Sequence, residues 1–89
     1  MRQSFDFITT PIDGLYRIER NPIADSRGFL SRMFCSDEFK AIGLKQPIEQ
    51  MNHTLTIEKG SVRGMHFQYP PYMETKIISC IQGEVFDVA

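Results

Sequence analysis

Apolar and polar side chains alternate in five short stretches: Leu15 to Arg20, Gln50 to Ile57, Val62 to Gln68, Lys76 to Ile81, and Glu84 to Val88. Successive side chains of a strand point to opposite faces, so a period of two marks a strand with one face turned inward. Each stretch is therefore predicted as a strand. Residues suited to turns lie around them: Thr10-Pro11, Asp13-Gly14, Asn21-Pro22, Lys59-Gly60, Tyr69-Pro70-Pro71 and Gln82-Gly83. Strands at this spacing predict an all-β sandwich or barrel.

One segment departs from that rhythm. Ser36-Asp37-Glu38 places a cap residue and two acids where a helix would start, Phe39 and Ile42 share a face at i, i+3, and Gly43 can end the element. A single short helix is predicted over 36–43. No internal repeat, low-complexity tract or linker interrupts residues 1–89, which read as one domain. The last stretch, Glu84-Val85-Phe86-Asp87-Val88-Ala89, stops in mid-alternation. A strand ending there leaves ladder groups without partners, so truncation, or completion by a partner subunit, is expected.

Composition narrows the classes. At 89 residues a domain buries only somewhat more than about 60% of its unfolded surface, although 42% hydrophobic and 24% charged residues suit a folded globular chain. Ten Lys and Arg against eleven Asp and Glu leave a net charge of −1, with no basic block for nucleic acid. No apolar run approaches the roughly 20 residues of a membrane span. Asp6 and Asp13 stand where a signal peptide would be apolar, and a cytoplasmic address is expected. Cys35 and Cys80 are isolated, and two buried free thiols are expected in preference to a disulfide.

The densest chemistry lies in Arg63-Gly64-Met65-His66-Phe67-Gln68 and the nearby Lys76. A guanidinium, an imidazole and an ammonium suit an anionic substrate and proton transfer. In a regular strand Arg63 and His66 face opposite ways, so a shared pocket needs a backbone deviation, which Gly64 permits. An outward arginine and a satisfied core histidine account for the same spacing. Gln50 and Asn52 share a strand face and can hydrogen-bond a polar ligand, or form an ordinary solvated face. In Asp25-Ser26-Arg27-Gly28-Phe29, a turn-like stretch leading into an apolar-containing strand, Arg27 can bind a phosphate or carboxylate bidentately, or the unit is a loop carrying a surface ion pair. His53 and His66, thirteen residues apart, offer no metal-ligand spacing, and neither cysteine has neighbours that would clearly activate it.

Taken in order, Asp25-Ser26-Arg27-Gly28-Phe29, Gln50-Met51-Asn52-His53-Thr54, Val62-Arg63-Gly64-Met65-His66-Phe67-Gln68, Pro70-Pro71, Glu74-Thr75-Lys76 and Gly83-Glu84-Val85-Phe86-Asp87-Val88 resemble the dTDP-4-dehydrorhamnose 3,5-epimerase family. The likeness runs from about Pro11 to the last residue. It implies a cupin-type double-stranded β-helix, or jelly roll, incomplete in this chain, and a homodimer formed through strand exchange. The implied reaction inverts C3 and C5 of a dTDP-4-keto-6-deoxyhexose, dTDP-4-dehydro-6-deoxy-D-glucose, on the route to dTDP-L-rhamnose. It needs neither cofactor nor metal.

Both centres flank the C4 ketone, whose pull acidifies their protons. His66 matches the family's base, and an imidazole with an ordinary pKa of about 6.5 is suited to that work. Lys76 matches the lysine that stabilises charge developing on the C4 oxygen. Arg27 and Arg63 align with arginines that bind the sugar nucleotide, and Gln50 and Asn52 with an amide pair that positions it. Arg32 stands where many relatives carry a substrate-contacting Glu. The later half of the family supplies a tyrosine acid, a further histidine and the aspartate that pairs with the base; Tyr69 and Tyr72 do not match that acid. The chain by itself is therefore expected to have negligible epimerase activity. Two other readings remain at this point: a non-catalytic cupin fragment that binds a nucleotide sugar or dimerises, and a relative that inverts one centre or acts on another nucleotide sugar.

Overall fold

Phe5-Asp6-Phe7 and Tyr16-Arg17-Ile18-Glu19-Arg20 each turn alternate residues to one face, and in the computed structural model, which describes residues 3–89, the two segments pair. β1 (Phe5–Thr9) and β2 (Tyr16–Arg20) are antiparallel, with Phe5 opposite Arg20, Phe7 opposite Ile18 and Thr9 opposite Tyr16. Thr10 shapes their connection: its hydroxyl lies 3.0 Å from the Ile12 carbonyl and 2.9 Å from that of Leu15, and it accepts from the Ile12 N–H at 3.2 Å. Asn21 closes the open end of the pair. Its backbone N–H donates to the Ser4 carbonyl at 2.9 Å, and its side-chain amide donates to the Gln3 carbonyl and to Asp6 Oδ2, each at 3.2 Å.

A second antiparallel pair follows, β3 (Ile23–Asp25) with β4 (Gly28–Leu30), in which Asp25 stands opposite Gly28 across Ser26 and Arg27. The chain then forms α1 (Ser36–Phe39), continued by one 3-10 turn over Lys40–Ile42. Gly43 ends it with φ 87°, in the left-handed region that glycine enters without a Cβ penalty. The regular elements among the described residues are thus four strands in two small sheets and one short helix with its 3-10 turn. The N-cap is Cys35, not the expected Ser36, and makes no side-chain capping hydrogen bond among the described residues; the first turn keeps Asp37 and Glu38, which favour its N-terminal dipole.

The core of this part is aromatic. Phe39 is 1% exposed and Phe5 4%. The Phe39 ring meets Phe5, Phe7 and Phe34 edge-on, with centroids 5.1, 5.3 and 4.7 Å away, so α1 is fastened onto one face of β1. Edge-to-face pairs of this kind add about 0.5–1.5 kcal/mol each beyond area burial.

The residues divide into two units, Met1–His53 and Thr54–Ala89. The second shows turns at the expected places. Ser61 N–H and hydroxyl approach the Glu58 carbonyl at 3.4 and 2.9 Å around Lys59-Gly60, and Tyr72 N–H donates to the Tyr69 carbonyl at 2.9 Å around Pro70-Pro71. Neither it nor residues 50–53 contain a strand ladder among the described residues, so the strands expected over 50–57, 62–68, 76–81 and 84–88 are corrected to irregular chain. Alternation specifies which face of a strand would be buried, but a ladder also needs a neighbour, and none pairs with these segments. Their apolar side chains are correspondingly open, Val62 at 90% and Phe86 at 95% exposure. The same openness corrects the expectation for the thiols: both cysteines are free, but Cys80 is exposed and Cys35 only partly covered. No helix among the described residues is long and apolar enough to cross a membrane.

Candidate active site

Arg27 is the candidate residue whose geometry is most defined. The two-residue turn between β3 and β4 brings it back over Asp25, and three Arg27 donors make four contacts with the carboxylate. Arg27 Nη2 donates to Asp25 Oδ2 at 2.6 Å, Nε lies 3.4 and 3.3 Å from Oδ1 and Oδ2, and the Arg27 backbone N–H donates to Oδ1 at 2.8 Å. The surface ion pair foreseen as one reading of this unit is present. The guanidinium holds the Asp25 carboxyl below the usual carboxylate range, chiefly through the side-chain hydrogen bonds and next through the Arg27 backbone N–H. The carboxylate in turn raises Arg27 above the ordinary arginine value.

A carboxyl that binds its proton less readily when folded contributes stability in full above its unfolded titration, and that contribution disappears as pH falls through the folded titration. Asp25 is accordingly expected to titrate below the usual carboxylate range in a carbon-detected NMR titration, and Arg27→Gln to move it up toward that range. An Asp25 midpoint unmoved by Arg27→Gln would contradict the pairing.

Arg32 is also held. Its Nη1 lies 3.3 Å from Glu38 Oε1 and 3.4 Å from the Ser4 hydroxyl, linking the stretch after β4 to α1 and to the residue before β1. Glu38 Oε2 is covered and has no hydrogen-bond partner among the described residues. Gln50 and Asn52 lie in the same unit and are exposed in irregular chain. Of two open depressions in this unit, one is lined by Ile18, Arg20, Pro22 and Phe29 among others, the second by Phe34, Lys40, Leu44 and Pro47 among others; neither is lined by a candidate residue.

In the second unit, Arg63 Nη2 donates to the Leu55 carbonyl at 3.4 Å. Gly64 has φ 93°, so the backbone between Arg63 and His66 does leave the regular strand conformation. A Cβ there would come no closer than 4.0 Å to any non-adjacent atom, which makes the dihedral, and not crowding, the reason for glycine. His66 is exposed, and Phe67 and Tyr69 just beyond it meet edge-on at 5.2 Å. Lys76 Nζ lies 3.4 Å from Glu74 Oε1. No hydrogen bond or ion pair among the described residues joins His66 to Arg63 or Lys76. Sequence reasoning had not anticipated the Glu74 pairing, although opposite charges two positions apart were the available signal.

Residues 9–89 match the family described as dTDP-4-dehydrorhamnose 3,5-epimerase. The chain is 40% identical over 83 residues to the dTDP-4-dehydrorhamnose 3,5-epimerase of Shigella flexneri, a match covering 92% of this chain and 45% of that protein. It is 36% identical over 85 residues to the protein of the same name from Methanothermobacter thermautotrophicus, covering 96% and 45%. It is also 36% identical over 78 residues to the dTDP-4-dehydrorhamnose 3-epimerase of Streptomyces niveus, covering 86% and 37%. No solved structure matches significantly. The chain thus spans less than half the length of these curated relatives. With most of its residues inside the match, it belongs to the dTDP-4-dehydrorhamnose 3,5-epimerase family.

Proposed function

We propose that this chain contributes the proton-abstracting part of an epimerase site acting on dTDP-4-dehydro-6-deoxy-D-glucose. The observation that carries the reading is the match over residues 9–89, which includes His66 and Lys76 in one uninterrupted stretch. His66 takes the proton from C3 or C5, the electron pair moves through the carbon–carbon bond onto the C4 oxygen, and the Lys76 ammonium stabilises that oxygen's charge. A proton returned from the opposite face then inverts the centre. An ammonium that meets charge present in the enolate and not in the ketone lowers the barrier, whereas equal binding of both would not. Arg27 and Arg63 contact the diphosphate, and Gln50 and Asn52 orient the sugar nucleotide. The proposed architecture is the cupin jelly roll, paired as a homodimer through exchanged strands; the exposed apolar side chains of the second unit support it.

Lys76 shares its charge with Glu74, and His66 is open to water, where a base and a cation lack the fixed, dry surroundings that make them effective. The isolated chain is therefore expected to incorporate negligible solvent deuterium at C3 and C5. A chimera in which it replaces the matching 83 residues of the Shigella flexneri relative is expected to exchange both positions. In that chimera Lys76→Met is expected to lower exchange by about 10²–10³. An active chimera indifferent to Lys76→Met would remove the ammonium from the mechanism, and an inactive but folded chimera would count against the whole reading. The similarity to a 3-epimerase favours a second reading with inversion at one centre. Exchange at C3 alone would select it.

A further inference from the structure

We propose that Asp25 is a positioning residue for Arg27: by occupying the Nε/Nη2 edge of the guanidinium, it directs the Nη1/Nη2 edge toward an incoming diphosphate. The inference rests on the assignment of Arg27 to the diphosphate in the proposed function.

A guanidinium carries five N–H donors in one plane, arranged so that two separate edges can each match an oxyanion. In this turn one edge is taken. Nη2 and Nε face the Asp25 carboxylate, while the Arg27 side chain is 88% exposed and Nη1 has no hydrogen bond among the described residues. The carboxylate is itself held, because Oδ1 accepts the Arg27 backbone N–H at 2.8 Å and Asp25 stands opposite Gly28 at the base of the hairpin. Asp25 therefore orients a side chain that would otherwise sample many rotamers, and an oriented donor loses less freedom when its ligand arrives.

Electrostatics alone predicts the reverse. Asp25 places a negative charge beside the site, so removing it should strengthen anion binding by simple attraction. The two accounts differ in sign, and Asp25→Asn separates them, since an asparagine carbonyl can still accept the Arg27 backbone N–H and preserve the turn.

The experiment measures dTDP binding to the 89-residue chain by NMR titration, with Asp25→Asn, Arg27→Gln and the double variant. Arg27→Gln is expected to weaken binding. Asp25→Asn is expected to weaken it about two- to fivefold, the range of exposed ion pairs, and to have no further effect once Arg27 is glutamine. The Arg27 Nε–H resonance is expected to exchange faster in Asp25→Asn, a signature that general destabilisation confined to other sites would not produce. Equal or tighter binding by Asp25→Asn, with Arg27→Gln still weakened, would overturn the positioning role alone. Binding unaffected by Arg27→Gln, or no binding by the unsubstituted chain, would overturn the diphosphate assignment and this inference with it.

Discussion

In the Shigella flexneri chimera, His66→Asn is expected to lower deuterium exchange at C3 and C5 by about 10²–10⁴, the usual contribution of a positioned general base. At about 1.36 kcal/mol per decade this is about 2.7–5.4 kcal/mol of transition-state stabilisation. Asparagine keeps a polar side chain of similar reach but cannot accept and carry a proton near neutrality. The 89-residue chain adds a control, because there His66 is exposed in irregular chain, where substitutions usually change stability by no more than about 0.5 kcal/mol, so His66→Asn should leave that chain's own unfolding unchanged. Exchange should fall while the unfolding midpoint and dTDP affinity stay where they were. Exchange within tenfold of the unsubstituted chimera would exclude His66 as the base, and a collapse of the unfolding midpoint would assign it a packing role.

Phe39→Ala is expected to have the largest effect on folding. Truncating a buried aromatic typically costs about 3–5 kcal/mol through lost transfer energy and the cavity left behind. At roughly 0.05–0.15 kcal/mol per residue, the first unit has only about 3–8 kcal/mol to lose. The loss falls on three contacts at once, since Phe5, Phe7 and Phe34 all meet the same ring. Urea unfolding followed by near-ultraviolet circular dichroism should show the cooperative transition of Met1–His53 displaced or abolished, with Phe39→Leu retaining much of it. A Phe39→Ala midpoint equal to the parent's would show that α1 is not fastened by this cluster.

Local chemistry was legible in the sequence wherever one segment determines its own conformation. Gly43 ends the helix because only local dihedrals decide it, and the turns at Lys59-Gly60 and Pro70-Pro71 close on carbonyls three residues back. β2 emerged at Tyr16–Arg20, within one residue of the stretch that alternation marked. β1 was missed, since Phe7 and Ile8 are adjacent apolar residues that blur the period-two signal, and β3 has three residues, too few to display one, whereas the turn-like stretch at Asp25 does lead into a strand, β4.

The distant segments failed for another reason. Alternation over 62–68 says which residues would share a face, but carries no information about the neighbour that would hydrogen-bond to them. The candidate site was readable as residue types and motif order, and Gly64 as the point where the backbone turns aside. The partnerships of Arg27 with Asp25, Arg32 with Glu38 and Lys76 with Glu74 are of short range, yet only the first was foreseen, as one of two readings. Side-chain directions within irregular chain have no period from which to infer them.

The Asn21 closure has a chemical consequence. Asparagines age when the next residue's backbone nitrogen attacks the side-chain carbonyl, forming a succinimide that reopens to aspartate or isoaspartate. Here the next residue is Pro22, whose nitrogen is already fully substituted and has no hydrogen to give up. The amide that holds Gln3 and Asp6 is thereby shielded from deamidation, and the β1–β2 closure should persist through long storage in solution.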